Sequence, residues 1–539
     1  MRRHHIESDT GLAPLLAAPS GSAPDRELLA RLRRVYETGV WVTLESAIAD
    51  IPADLRWLFE SGAVSIEQLA ALHRTLGATS AADLSEAVRR QAVRAVPGLD
   101  AAVEYAVAAA LFDLRAAIPR IPLGRAVAIA APILAALEQL PGIERAVSVG
   151  SLRRGHETVG DIEIVASSVD PAAAIESLVT LPEVMRVLHR GTRRVYVLVE
   201  RVQVGVRLPP PAQAGAALLT LTGSPSHLDG VAAVARERGW RLEADGLRTG
   251  HATVADSEEA IYAALDLPCI PPEIRNGDGE IEAAREGRLP ALVSHADIRG
   301  DLHMHSTWSD GRDSIDAMVA ACHELGYEYL AITDHSPHSA AARNLTVEGV
   351  ERQAEEIARL RERFADIAIL HGCEVDILPD GRLDFADRIL ERFDLVLASL
   401  HERAGQSGDQ LMRRYESAMR HPLVALITHP ANRLVPGRKG YDLDFDRLFA
   451  LAVETGTLLE VDGAPVHLDL EGALIRRAIA AGVTLAVNSD CHRADLLEHQ
   501  MQLGVTTARR GWTEPRHVLN TRPLADVTAF VARKRAASR

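Results

Sequence analysis

The sequence predicts a multidomain α/β protein with a helical front, a mixed α+β middle and a C-terminal barrel of βα units. Three observations predict it. At 539 residues the chain exceeds what one hydrophobic core organises, so two to four domains are expected. Its 47% hydrophobic and 25% charged residues are globular values. The third observation is a change of period along the chain. Helical patterns give way to Val/Ile runs, and these to short apolar strands alternating with amphipathic helices.

Taken in order, residues 1–25 are rich in Pro, Gly and Ser and predict a disordered tail. Residues 26–120 read as helices in ELLARLRRVYETG, SIEQLAALHRTLG and AAVEYAVAAALFDL. Over residues 121–267 helices alternate with RAVSVGS, GDIEIVAS, RRVYVLVE and VQVGVRL, whose Val and Ile content reads as a sheet. The stretch PCIPPEIRNGDGE has linker composition and opens a predicted linker over 268–296. Residues 297–535 then repeat strand and helix, in EYLAITDH, IAILHGCEVD, FDLVLASLH, VALITHP, TLLEVDG and VTLAVNSDCH. Strands that end in His, Asp or Glu suggest a barrel with its site at their C-terminal ends.

Composition excludes several classes. No apolar run is long enough to span a bilayer, and no secretory segment is read at the start. Four cysteines without CxxC spacing fit a reducing cytoplasm and argue against a thiolate zinc site. A net charge of −15 has the wrong sign for wrapping duplex DNA by bulk electrostatics. Lys439 and Lys534 are the only lysines, and residues 120–245 carry 14 Arg against 13 Asp and Glu, so that region is no basic channel.

The strongest signal lies in the barrel. DLHMHSTWSDG places His303 and His305 two apart, on one face of a strand, with Asp310 in the loop that follows. Later strand ends deliver His335, Glu374, His401, His429, Asp490 and His492. Six imidazoles and three carboxylates without thiolate suit Mn²⁺, Zn²⁺ or Fe²⁺, and nine donors exceed the needs of one ion. Two or three divalent metals are expected. His338, His421 and His467 read as surface or supporting residues, His467 alone near enough to a strand end to touch substrate.

These nine residues resemble the metal motif of the PHP (polymerase and histidinol phosphatase) family over about Asp297 to Phe530. The resemblance implies a distorted, TIM-like (β/α)₇ barrel around three ions. His303, His305, Glu374 and Asp490 would hold one ion. Glu374 would bridge to a second on His401 and His429, and Asp310, His335 and His492 would hold the third. Such clusters hydrolyse phosphate esters by lowering the pKa of water from ~15.7 toward ~7 and by clamping the attacking and leaving oxygens.

A second motif, VGSLRRGHETVGDIEIV, sets Asp161 and Glu163 one residue apart beside a Gly-Ser turn, so that both carboxylates project to one face of a strand. It resembles the palm of family X DNA polymerases, a branch of the nucleotidyltransferases. With the barrel it matches the bacterial two-module members of that family from about residue 50 to the end, including ARRGWTEPRHVLNT over 508–521. The resemblance implies that Gly150, Ser151, Arg154, Gly160 and Gly223 contact a nucleoside triphosphate, and that Asp161 and Glu163 hold Mg²⁺ or Mn²⁺ if the palm is active.

Three departures mark this palm as degenerate. The third carboxylate of the family falls at Gly205, in VQVGVRL. Thr220 and Leu221, in TLTGS, replace an aromatic pair. Glu163 is one methylene longer than the usual aspartate, a displacement of about 1.5 Å. The helical region resembles helix-hairpin-helix DNA-binding elements, but each frame keeps only its first glycine, Gly62 or Gly98, with Val64 or Asp100 at the second. Two plain helical hairpins are the alternative. No lysine precedes Lys439, so Schiff-base lyase chemistry has no amine in the front half.

The expected function is cytoplasmic DNA repair, with the PHP domain a 3′–5′ exonuclease or 3′-end phosphoesterase acting on gapped or 3′-ended DNA. The alternatives are an active gap-filling polymerase using dNTPs, a small-molecule phosphatase of the histidinol-phosphate type, and a non-enzymatic front half that docks DNA or protein for the barrel. No membrane partner is expected.

Overall fold

Helix signals in the N-terminal region act locally. Ser65 and Ser80 each accept from the backbone three residues on, and Gln68 and Asp83 return the bond, giving two capping boxes. The helices Ile66–Leu76 and Ala81–Arg89 follow, and Leu58, Leu69, Leu72, Leu84 and Val107 form the core. This computed structural model describes residues 51–52, 55–117, 120–250, 252–339 and 343–536. The tail predicted over 1–25 and the first predicted helix, ELLARLRRVYETG, lie outside the described residues. The chain divides into two compact units, Met1–Pro119 and Arg120–Arg539.

In the first unit Gly62 and Gly98 take φ of +77° and +82°, as tight turns between helices require. Val64 is buried in the core, and Asp100 Oδ1 accepts from Val103 N at 3.0 Å at the start of Ala101–Ala117. Both residues at the second glycine position are thus used in packing and capping.

The second unit begins with β1 (Ile121–Pro122), which pairs with β3 (Thr158–Val159). Its main sheet has the order β2-β4-β7-β6-β5, with β2 Ile143–Ser148, β4 Ile162–Ser168, β5 Arg186–Arg190, β6 Arg194–Val199 and β7 Val202–Arg207. Ile162 and Ile164 of β4, with Val204 and Val206 of β7, pack against the helices Leu123–Glu138 and Pro171–Val179. Alternation turns Glu163 of β4 and Gly205 and Arg207 of β7 to the opposite face. A small antiparallel sheet follows: β8 (Arg241–Glu243), β9 (Gly246–Arg248) and β10 (Thr253–Val254).

Residues 268–296, expected as a linker, pack. Ile270, Ile274, Ile281 and Ala284 share a core with Leu219 and Tyr262, and the segment contains the helix Glu280–Arg285. Arg275 is 1% exposed, donates to Ile270 O at 2.8 Å and pairs with Glu258. The Pro and Gly residues set turns within a packed strap.

The barrel strands are β11 (Gly300–Asp301), β12 (Tyr329–Ile332), β13 (Ala368–Asp376), β14 (Leu395–Ser399), β15 (Val424–Ile427), β16 (Leu458–Asp462) and β17 (Leu485–Asn488). They are parallel and neighbours in sequence order. The ring draws together through a parallel bridge from Met304 to Cys491, with His305 N donating to Cys491 O at 2.9 Å. β11 is shorter than expected, so His303 and His305 lie beyond it on either side of that bridge. Tyr329, Leu395 and Leu458 at the strand starts pack with Val527 and Val531 of the helix Leu524–Ala536. The strand ends are left to polar side chains.

Glu258, 4% exposed, is the shared partner of Arg153 and Arg275. Glu258→Ala would strand both guanidiniums, at a cost of about 3–5 kcal/mol. The expected outcome is a lower urea midpoint followed by Trp240 and Trp512 fluorescence, since both rings pack on that core.

Candidate metal centre and palm site

Glu374, at 1% exposure, is the centre of the barrel mouth. Its Oε2 lies 2.9 Å from His335 Nδ1, 3.5 Å from His303 Nε2 and 3.6 Å from His305 Nε2. Its Oε1 lies 3.1 Å from His429 Nε2 and 3.6 Å from His401 Nε2. Asp490 Oδ1 approaches His305 Nε2 at 3.1 Å and His303 Nε2 at 3.5 Å. Asp310 Oδ1 reaches His492 at 3.3 Å and His335 at 3.5 Å. All nine predicted residues therefore meet in one place.

The donors fall into overlapping groups: His305, Asp310, His335 and His492; His303, His305 and Asp490; His335, Glu374 and His401; and Asp462, His467 and Asp490. Their membership differs from the expected assignment: His429, expected with Glu374 and His401, falls in none of them, although its Nε2 lies beside Glu374 Oε1. His305 belongs to two groups, and His335 joins Glu374 and His401 as well as Asp310. His467, expected at the surface or in support, stacks on His429 with ring centroids 5.1 Å apart. His338 and His421 stand outside these groups, near Glu402 and Asp387.

The donor set fits divalent metal. Glu374 Oε2 and the Nδ1 atoms of His305, His335 and His429 are buried without a hydrogen-bond partner. His335 Nδ1 is close to Glu374 Oε2, yet the pair does not align as a hydrogen bond. The Nε2 atoms of His303 and His305 face each other at 3.1 Å. Imidazole nitrogens and carboxylate oxygens converging on common points are what a cation satisfies. Burial opposes the charge on Glu374, but His303, His335 and His401 hold it well below the usual carboxylate range. Burial, then His335 and His492, push His305 down to about 4.

Outer carboxylates fix the rings. Glu460 Oε1 lies 2.8 Å from His303 Nδ1, while Glu460 Oε2 accepts from His429 N at 2.8 Å. Asp376 Oδ1 lies 3.0 Å from His401 Nδ1. Sequence reasoning passed over Glu460, Asp376 and Asp462. Their signal was a repeated Glu-x-Asp at strand ends: Glu374 and Asp376 on β13, Glu460 and Asp462 on β16.

The palm is different. Glu163 pairs in register with Gly205, and its Oε1 stands 2.5 Å from where a Gly205 Cβ would be. Glu163 Oε2 accepts from Arg207 Nε at 2.9 Å. The longer carboxylate thus lies over the glycine and is neutralised by an arginine. Asp161 is exposed at the head of β4. Among the described residues every group of three or more metal-type donors is in the barrel.

Of the residues expected to contact a triphosphate, Gly150, Ser151, Arg154 and Gly223 lie around one loop. Gly150, at φ +67°, and Ser151 open the short helix Gly150–Arg153, and a Gly150 Cβ would stand 3.8 Å from Leu221 O. Arg154 Nη1 donates to Thr222 O at 2.5 Å, next to Gly223. A Gly160 Cβ would come within 3.0 Å of the Arg120 guanidinium. Burial, then Arg510 and Arg120, lower Arg154 to about 10. Arg510 comes from the barrel helix Leu497–Arg510, which packs on this loop: Glu157 pairs with Arg510 and, at 3.4 Å, with Arg433.

A family model for the PHP domain matches residues 301–442, and one for the DNA polymerase beta thumb matches 217–276. A Bacillus subtilis (strain 168) protein described as DNA polymerase/3′-5′ exonuclease PolX is 38% identical over 508 residues, 93% of this chain and 89% of that one. A probable phosphatase of Thermoanaerobacter sp. (strain X514) is 28% identical over 36% of this chain and 78% of its own length. One of Syntrophotalea carbinolica is 30% identical over 30% of this chain and 65% of its own length. With the barrel, the palm and near full-length similarity in agreement, the chain belongs to the PolX family, family X DNA polymerases that carry a C-terminal PHP domain.

Proposed function

We propose that the chain is a cytoplasmic DNA-repair enzyme whose barrel hydrolyses phosphodiesters at 3′ ends, as a 3′–5′ exonuclease, and whose palm is weak or inactive. The observation that carries this is the contrast between the two sites. Eight donors gather with Glu374, whereas the palm has a glycine where a carboxylate is needed, covered by Glu163. His303, His305, Asp310, His335, Glu374, His401, His429, Asp490 and His492 would hold two or three ions, with Mn²⁺ or Zn²⁺ and then Fe²⁺ the best fits to nitrogen and oxygen donors. When bound, such ions acidify water and offset charge on the phosphate. Glu460 and Asp376 fix the His303 and His401 rings. DNA with a gap or a 3′ end is the proposed partner. Four unpaired cysteines support a reducing compartment.

One observation favours gap filling as a second reading. Gly150, Arg154 and Gly223 still form a loop fit for a triphosphate, so dNTP binding is retained in this proposal even where transfer is not. The phosphatase reading rests on relatives similar to the barrel third alone.

His303→Ala with His401→Ala is expected to abolish Mn²⁺-dependent digestion of a 5′-labelled primer, and undiminished digestion would remove the proposal. Glu460→Gln, which keeps every donor but loosens His303, is expected to lower exonuclease activity by about 10–100-fold. In the palm, Gly205→Asp alone is expected to leave incorporation at a one-nucleotide gap unchanged, since its Cβ would meet Glu163 Oε1 at 2.5 Å and Tyr196 Cε1 at 2.7 Å. Combined with Glu163→Asp and Tyr196→Val, which clear both contacts, it should raise incorporation by about 10²-fold. Full rescue by the single change would contradict the steric account.

A further inference from the structure

The floor of the barrel mouth holds a carboxylate that the nine-residue set does not use. Asp462 is 0% exposed at the end of β16. Its Oδ1 accepts from Ala464 N at 2.6 Å, while its Oδ2 is buried without a partner. A buried carboxylate oxygen in that state is costly unless a cation or a proton meets it.

Two further donors stand beside it. Asp462, His467 and Asp490 each offer an atom, and these atoms lie within 4.8 Å of one another. His467 Nδ1 lies 2.9 Å from Arg433 O. A carbonyl only accepts, so that nitrogen carries the proton and Nε2 keeps its lone pair, the state in which imidazole ligates metal. Stacking on His429 at an interplanar angle of 18° fixes the ring. Asp490 Oδ1 faces His303 and His305. Asp490 is thus common to this group and to the group of His303 and His305, as a carboxylate shared between adjacent ions would be.

The geometry points to an additional divalent-cation position formed by Asp462, His467 and Asp490, adjoining the nine-residue cluster and sharing Asp490 with it. Two carboxylates and one imidazole are a hard, oxygen-rich set, suited to Mn²⁺ and leaving positions open for water or a substrate phosphate. An ion there also offsets the negative charge gathered by Glu460, Asp462 and Asp490 around one floor. This inference rests on the proposed metal-dependent function of the same mouth.

Equilibrium dialysis of the full chain against Mn²⁺ tests it. Asp462→Asn is isosteric, and His467→Phe keeps the stack on His429 while removing the donor. Each is expected to bind one Mn²⁺ fewer per chain than the unmodified protein, with unchanged far-ultraviolet circular dichroism. Asp310→Ala, which touches only the nine-residue cluster, is the reference. A loss in Asp310→Ala with equal counts in the unmodified protein, Asp462→Asn and His467→Phe overturns the additional position alone, and assigns a proton to Asp462. No loss in any of the three overturns it together with the metal-dependent reading. Should Asp462→Asn fail to fold, the His467→Phe count decides.

Discussion

Burial of the Glu374 charge is the constraint on which the barrel mouth depends. A carboxylate withdrawn from water needs nearby positive charge or a dense set of donors. Five imidazoles from four different strand ends supply it here, at 2.9 to 3.6 Å. Those strand ends are therefore tied to one another electrostatically as well as through the sheet. The backbone shows the demand: His429 and Asp490 take φ of 26° and 50°, which non-glycine residues adopt only where the surroundings impose it. Ligand geometry has been favoured over local comfort.

In the palm the balance runs the other way. Glu163 finds its positive partner in Arg207, a neighbour in the same sheet. The glycine at 205 and the glutamate at 163 act as one change rather than two, because the longer side chain fills the room that the missing one leaves. Burial first and Glu163 second push the Tyr196 phenol up to about 12, so this patch is tightly packed as well as charge-balanced.

Much of this was legible because strand-end chemistry has a period. His303/His305, Glu374, His401 and His429 fall where short apolar runs stop, and nine such coincidences point to one site from sequence alone. The supporting carboxylates were equally visible in spelling, as Glu-x-Asp on β13 and β16, but a single acid at a strand end says nothing about which ring it will hold. The ion grouping was not legible, since it depends on which nitrogens of His305 and His335 face which acids, a property of side-chain rotation. The packed strap over 268–296 was misread because Pro and Gly mark turns without telling whether the turns are buried. Val64 and Asp100 looked like losses to a phosphate grip, and the structure uses them as core and cap.

The contact between the Gly150–Glu157 loop and the helix Leu497–Arg510 has its own consequence. Leu468 and Leu503 of the barrel sit in the same apolar cluster as Ile129 and Ile164 of the palm, and Gly124 abuts Pro465 so closely that an added methyl would fall 2.8 Å from its Cβ. The palm is thus an outer wall of the nuclease, sealing greasy surface that an amputated barrel would offer to solvent. Whatever chemistry the palm performs, it also serves the barrel as masonry.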